Sequence, residues 1–115
     1  MLTIYHNPRC SKSREALALL EAAGEPVTII RYLETPPDRT MLETLIRQLN
    51  LPVRALLRSK EEEYETLGLA NPALTDADII TLLTKHPRLL ERPIVVNNNR
   101  AVIARPPERL KELLT

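Results

Sequence analysis

At 115 residues the chain has the usual length of one domain, which excludes a two-domain enzyme, and its 43% hydrophobic and 27% charged residues exclude a disordered or fibrous protein. Sixteen Lys and Arg against fifteen Asp and Glu leave a net charge of +1, too little to hold nucleic acid or an anionic membrane by bulk charge, and three Tyr without Phe or Trp offer no base-stacking platform. No apolar run approaches the roughly 18 residues of a membrane span, and the start from Met1 to His6 runs into Asn7-Pro8 without a signal-peptide layout, so a cytoplasmic protein is expected.

Leu2–His6 alternates apolar and polar residues, which predicts a first strand closed by the Asn7-Pro8 turn. From Ser11 onward Ala16, Leu17, Leu19, Leu20 and Ala23 recur at helical spacing as far as Gly24, which stands where a helix cap belongs. Residues 27–33 are β-branched and alternating enough for a second strand, and a helical crossover makes the two strands parallel. Beyond Pro36-Pro37, the apolar positions Met41, Leu42, Leu45, Ile46 and Leu49 define a helix ending near Asn50. Three further helical stretches are predicted over 53–59, 61–67 and 75–85, with breaks at Asn71-Pro72 and His86-Pro87. Thr75, Asp76 and Asp78 put a capping hydroxyl and acids at the start of the last of these. Residues 94–96 and 101–104 bracket Asn97-Asn98-Asn99-Arg100 as a hairpin, and Pro106-Pro107-Glu108 opens a last helix through Leu114. This order matches an α/β, thioredoxin-like (glutaredoxin-like) mixed four-stranded sheet, in one domain over 1–115 with a helical insertion at about 38–90.

The single cysteine, Cys10, excludes an internal disulfide and an all-Cys metal cluster, and His6 and His86 lack metal-ligand spacing, so no metal site is expected. Cys10 lies between a strand end and a helix start. There, unpaired backbone N–H groups and the helix dipole favour a thiolate, helped by Arg9, Lys12 and Arg14 close by. The same N–H groups suit an oxyanion beside the sulfur, and the Cys-x-x-Ser pattern suits a Ser13 hydroxyl donating to the thiolate. A lone cysteine is ordinarily a small buried hydrophobe, but a helix entry flanked by Pro, Ser and three cations is a poor core position. A phosphatase Cys-x5-Arg loop would need an arginine where Ala16 stands. His6 points from the strand end toward the loop, either to hydrogen-bond near Cys10 or to pack. Glu61-Glu62-Glu63 reads as a solvated helix face or first-turn acids, and His86 as a helix end. Gly24 and Gly68 are too few and too far apart for a phosphate loop, so no nucleotide or flavin is expected. A thiolate exchanges only with another thiol, so redox chemistry at Cys10 requires an external one.

Six segments in order along the chain carry a resemblance: Tyr5-His6-Asn7-Pro8-x-Cys10, Tyr32-Leu33-Glu34-Thr35-Pro36-Pro37, Val53-Arg54-Ala55-Leu56-Leu57-Arg58, Leu67-Gly68-Leu69-Ala70, Arg92-Pro93-Ile94-Val95-Val96 and Arg105-Pro106. Together they resemble the arsenate reductases that couple to glutathione and glutaredoxin, the ArsC type. The resemblance implies that Cys10 is the nucleophile and that Arg58, Arg92 and Arg105 hold arsenate or its thiol adduct, with His6, Ser13, Lys12 and Arg14 in support. It implies glutathione as co-substrate with no bound cofactor, and glutaredoxin as the protein partner. Three guanidinium forks on one tetrahedral dianion would neutralise it and brace the charge that develops during attack. A thioredoxin-like topology also brings the segment before Pro93 to the Cys loop, with a cis Arg92–Pro93 bond predicted.

Two departures from the family pattern touch function: Ser11-Lys12 stands where members typically carry Gly-Thr, and the chain stops soon after Leu114 without a longer tail. Two rival readings remain open. One is a glutathione-linked thiol oxidoreductase acting on another oxyanion or a protein disulfide. The other is a regulator similar to the Spx proteins, which bind RNA polymerase, although Ser13 replaces the second Cys of their Cys-x-x-Cys switch.

Overall fold

The computed structural model describes residues 2–114; Met1 and Thr115, the ends of the range expected from sequence, lie outside the described residues. The chain up to Thr35 and the chain from Arg92 onward make one compact unit, and Pro36–Glu91 makes another.

In the first unit β1 (Leu2–His6), β2 (Val27–Arg31), β3 (Ile94–Asn97) and β4 (Arg100–Ile103) form a mixed sheet in the order β2-β1-β3-β4. Tyr5 of β1 lies opposite Ile30 on the parallel β2 and opposite Ile94 on the antiparallel β3, so β1 is central. That position explains why four of its five residues are buried despite their alternating pattern. Helix α1 (Ser11–Ala22) carries the crossover from β1 to β2. Ala16 and Leu20 from α1 share a core with Leu2 and Ile4 of β1, Val95 of β3, Val102 of β4, and Leu110 and Leu113 beyond the hairpin. Burying each of these large aliphatic side chains contributes roughly 1.5–3 kcal/mol. Gly24, with φ +75°, ends α1 in the left-handed region where a Cβ would be strained, and Asn98, with φ +56°, makes the tight turn from β3 to β4.

Two elements of this unit differ from the sequence reading. Strand β2 stops at Arg31 rather than at 33 because the Arg31 carbonyl accepts the backbone N–H groups of Glu34 (3.0 Å) and Thr35 (2.8 Å), which rolls the chain into a turn. The final helix is a 3-10 helix over Pro107–Leu113. Its buried residues, Pro107, Leu110 and Leu113, recur every third position, the spacing that three residues per turn puts on one face.

In the second unit α2 (Arg39–Leu49), α3 (Glu62–Thr66) and α4 (Asp76–Lys85) are joined by a 3-10 turn at Val53–Leu56 and followed by another at Pro87–Leu89. Asp38 caps α2 by accepting the Met41 N–H at 2.9 Å, and Thr75 with Asp78 forms a reciprocal capping box on α4. Each such cap contributes about 1 kcal/mol. Leu42, Leu45 and Leu49 are the buried face of α2, and Ile79, Ile80 and Leu83 that of α4. The helix expected over 53–59 is shorter: after Leu56 the chain turns extended, Leu57 bridges Leu90, and the Arg58 N–H donates to the Leu89 carbonyl at 2.8 Å. Arg54 spends its fork on the carbonyls of Leu69 and Asn71, at 2.7 Å each, and so clips the loop after α3. Among the described residues no helix is long and apolar enough to cross a membrane.

Candidate active site

The loop between β1 and α1 is organised by Asn7. Its carbonyl accepts the Cys10 N–H at 3.0 Å, its Oδ1 accepts the Arg9 N–H at 3.0 Å, and its own N–H donates to Ser13 Oγ at 3.0 Å. Cys10 therefore takes the N-cap position of α1, with extended backbone, and its half-buried sulfur stands where a capping oxygen would. Burial pushes its thiol up. The Ser13 backbone N–H, the Arg92 charge, the Lys12 backbone N–H and a hydrogen bond from the Arg92 side chain together outweigh burial and hold the thiol below its ordinary value. The group that reaches the sulfur from Ser13 is thus its backbone N–H, not the hydroxyl expected from the Cys-x-x-Ser pattern.

The Ser13 hydroxyl, fully buried, lies 2.6 Å from Nδ1 of His6, itself only 5% exposed. Burial, then the charges of Arg31 and Arg14, hold the His6 imidazole below its ordinary value, so the ring is neutral near pH 7. Ser13 Oγ also accepts the Asn7 N–H, so this one hydroxyl ties the cysteine loop to the His6 ring. His6 also helps line a groove of about 310 Å³ with Asn7, Pro8, Arg9, Arg31, Leu33 and Glu34, next to the cysteine loop.

Local cations play a smaller part than their sequence proximity suggests. Arg14 Nη1 donates to the Pro8 carbonyl at 2.9 Å and braces the loop, while Lys12 Nζ lies 3.7 Å from Glu15 on an exposed face. The guanidinium acting on the sulfur is that of Arg92, brought in from the far side of the sequence by the segment leading into β3. Arg92–Pro93 is cis, as predicted, and Arg105–Pro106 is cis as well. Arg105 Nη1 donates to the Arg92 carbonyl at 3.3 Å, and the Ala104 N–H donates to the Pro93 carbonyl at 2.9 Å, so the two ends of the hairpin hold each other. Cys10, His6, Ser13, Arg92 and Arg105 thus belong to one unit.

Arg58 belongs to the Pro36–Glu91 unit, where its Nη1 lies 2.8 Å from Glu61 Oε1. The acidic run 61–63 is not a merely solvated face. Glu61 is 15% exposed and Glu63 30%, Arg88 lies 3.9 Å from each, and Glu63 Oε2 lies 3.0 Å from His86 Nδ1. The i, i+3 spacing of Arg58 and Glu61 was the available signal for their pairing. The sequence marks Asn7 as a turn-former before Pro8 but not as the organiser of the cysteine loop, and it does not mark Arg31. Among the described residues no group of three or more His, Cys, Asp and Glu side chains gathers as metal ligands.

Comparison with known proteins places this geometry among relatives. A family model described as the ArsC family matches residues 5–113. The chain is 44% identical to an arsenate reductase of Neisseria meningitidis over 114 residues, covering 98% of this chain and 97% of that one. It is 47% identical to an arsenate reductase of Escherichia coli, over 98% of this chain and 80% of the other. A solved arsenate reductase from Vibrio cholerae matches with a TM-score of 0.96 at 50% identity, covering 97% of this chain and 96% of that one.

Proposed function

The chain belongs to the ArsC family, and from that premise we propose that it reduces arsenate to arsenite, with glutathione and glutaredoxin as thiol donors and a covalent arsenate adduct on Cys10. The observation that carries this reading is a sole cysteine at a helix N-terminus whose thiol is held below its ordinary value by backbone N–H groups and by Arg92. Such a sulfur ionises more readily than an ordinary thiol and stands beside donors suited to a second anion.

In the first step the Cys10 thiolate attacks arsenic. An arsenic–sulfur bond forms, and one arsenic hydroxyl takes up a proton and leaves as water. Glutathione then displaces a second oxygen, which leaves as water with the glutathione proton and one from solvent. A glutaredoxin thiolate attacks the glutathione sulfur, a mixed disulfide forms, and the electron pair of the broken arsenic–sulfur bond stays on arsenic, now As(III). Hydrolysis of the remaining arsenic–sulfur bond releases arsenite and restores the Cys10 thiolate. The two electrons come from the two external thiols, which fits a chain with one cysteine.

Arg92 acts on both partners of the first step, favouring the ionised form of the sulfur and offering its fork to the oxyanion, with Arg105 as a second fork. The neutral His6, tied to Ser13, holds the end of β1 against the first turn of α1. The same reading has the protein working in the cytoplasm, where glutathione keeps thiols reduced. Arsenite release in the presence of glutathione and glutaredoxin tests it: turnover by the native protein and none by Cys10→Ser is expected, and no turnover by the native protein would sink the proposal.

A further inference from the structure

The groove beside the cysteine loop, about 310 Å³, has the size of a small-ligand site at the lower end of the range, and the charges that line it form a pattern. Arg31 ends β2 and Glu34 lies in the turn after it, with Nη1 and Oε2 3.8 Å apart and both side chains exposed. That separation is too long for a hydrogen bond, so the guanidinium keeps its donors and the carboxylate its lone pairs. Arg9 comes from the β1–α1 loop, next in sequence to Cys10, and among the described residues its guanidinium has no partner. His6 is opposite Arg31 in the parallel register of β1 and β2, so the two side chains share a face of the sheet. Its ring is 95% buried and gives Nδ1 to Ser13, while among the described residues Nε2 has no hydrogen-bond partner and keeps accessible surface where the ring lines the groove.

We propose that this groove seats the thiol donor: glutathione lies in it with its α-ammonium on Glu34, the carboxylate of the same carbon on Arg31, and its glycine carboxylate on Arg9. The tripeptide carries two carboxylates and one ammonium, and the groove carries two guanidinium groups and one carboxylate, so every charge has an opposite. An ammonium and a carboxylate on one carbon need an anion and a cation side by side, which the Arg31–Glu34 pair supplies. The glycine end needs a cation without an anion beside it, which describes Arg9. The peptide groups between these ends each hold a donor and an acceptor, so Nε2 of His6 is matched by whichever tautomer the ring holds. The Cα atoms of Arg9 and Cys10 are neighbours about 3.8 Å apart, so a tripeptide anchored at Arg9 brings its central thiol to the loop that carries the sulfur.

This inference rests on glutathione being the thiol donor of the proposed function, and the test separates the two. S-methylglutathione, which cannot exchange, is titrated into isotope-labelled protein and followed by amide NMR, whose spectrum also reports whether each variant is folded. The amides of Arg9, Arg31 and Glu34 should shift, and those of Glu25 and Asn97, in the groove of about 320 Å³ that Leu2 lines at the other end of β1, should not. Arg31→Gln and Glu34→Gln should each weaken binding about threefold to tenfold and raise the KM for glutathione by the same factor, with the KM for arsenate within about twofold of native. Arg31→Lys, which keeps the charge, should recover most of that loss. The glycine ethyl ester of the same ligand should bind the native protein about threefold to fivefold more weakly than the free acid; Arg9→Gln should erase that difference and Arg31→Gln should keep it. If the shifts fall elsewhere, or if Arg9→Gln tells acid from ester as the native protein does, the inference is overturned while arsenate reduction through Cys10 still stands. If the native protein releases no arsenite yet S-methylglutathione produces these shifts, the reduction falls and the groove stands as a glutathione site.

Discussion

Arg92 and Arg58 carry the same guanidinium and end in opposite electrostatic situations. Arg92 faces a thiol whose ionisation it favours, together with two backbone N–H groups, against the burial that opposes it. Arg58 faces Glu61, an anion present from the outset. A cation beside a titratable partner creates a nucleophile; a cation beside a permanent carboxylate is held in reserve. Counting arginines near a site therefore says less than identifying what each already touches.

Four changes break or sharpen this contrast. The largest expected effect comes from Cys10→Ser, which leaves Arg92 nothing to ionise and should lower arsenite release by about a thousandfold or more in the coupled assay. Next, Arg92→Ala removes the charge and the hydrogen bond from the sulfur, so its thiol rises toward the ordinary value. Turnover at neutral pH should fall about a hundredfold, and both the acid limb of the pH–rate profile and the ultraviolet thiolate titration should move to higher pH.

Ser13→Ala separates backbone from side chain. The Ser13 N–H remains, so the acidity of Cys10 should be kept, while the part-buried Asn7 N–H and the buried His6 Nδ1 lose their partner and stability falls by about 1–3 kcal/mol in denaturant titrations. The smallest effect concerns His6. Its pKa in the folded protein lies below the ordinary 6.5, so the folded state binds fewer protons than the unfolded one. Its contribution is complete above 6.5 and is lost as the pH falls through the lower folded value. Thermal unfolding should therefore show a loss of Tm on acidification from 6.5 downward that flattens in His6→Asn.

What could be read from the sequence was local. The β1–α1 unit announced itself through alternation, then Asn7-Pro8, then a 3.6-residue period ending at Gly24, and each signal has a mechanism acting within a few residues. Cys10 at a helix start followed from that alone. The partner of the sulfur was another matter: Arg92 is reached only through the sheet order, and the resemblance offers it as an oxyanion ligand rather than as the cation on the sulfur, while the nearer Arg14 and Lys12 look better on paper and turn elsewhere. The Ser13 hydroxyl went to His6 because the end of β1 and the first turn of α1 pack together, a contact across seven positions that no periodicity encodes. The last helix was misjudged in type because apolar residues at 107, 110 and 113 fit a 3.0-residue period as well as a helical one. In the acidic run, neighbouring glutamates do point different ways, and the i, i+3 relation of Glu61 to Arg58 was there to be noticed.

The β3–β4 hairpin works like a pair of tongs. Arg92 and Arg105 sit at its open tips, the pairing of Ile94 with Ile103 sets the gap between them, and Asn98 is the spring at the closed end. An extra residue at the spring would lengthen the handle and leave the grip alone, whereas one extra residue in either arm would turn that arm's side chains over and part the tips.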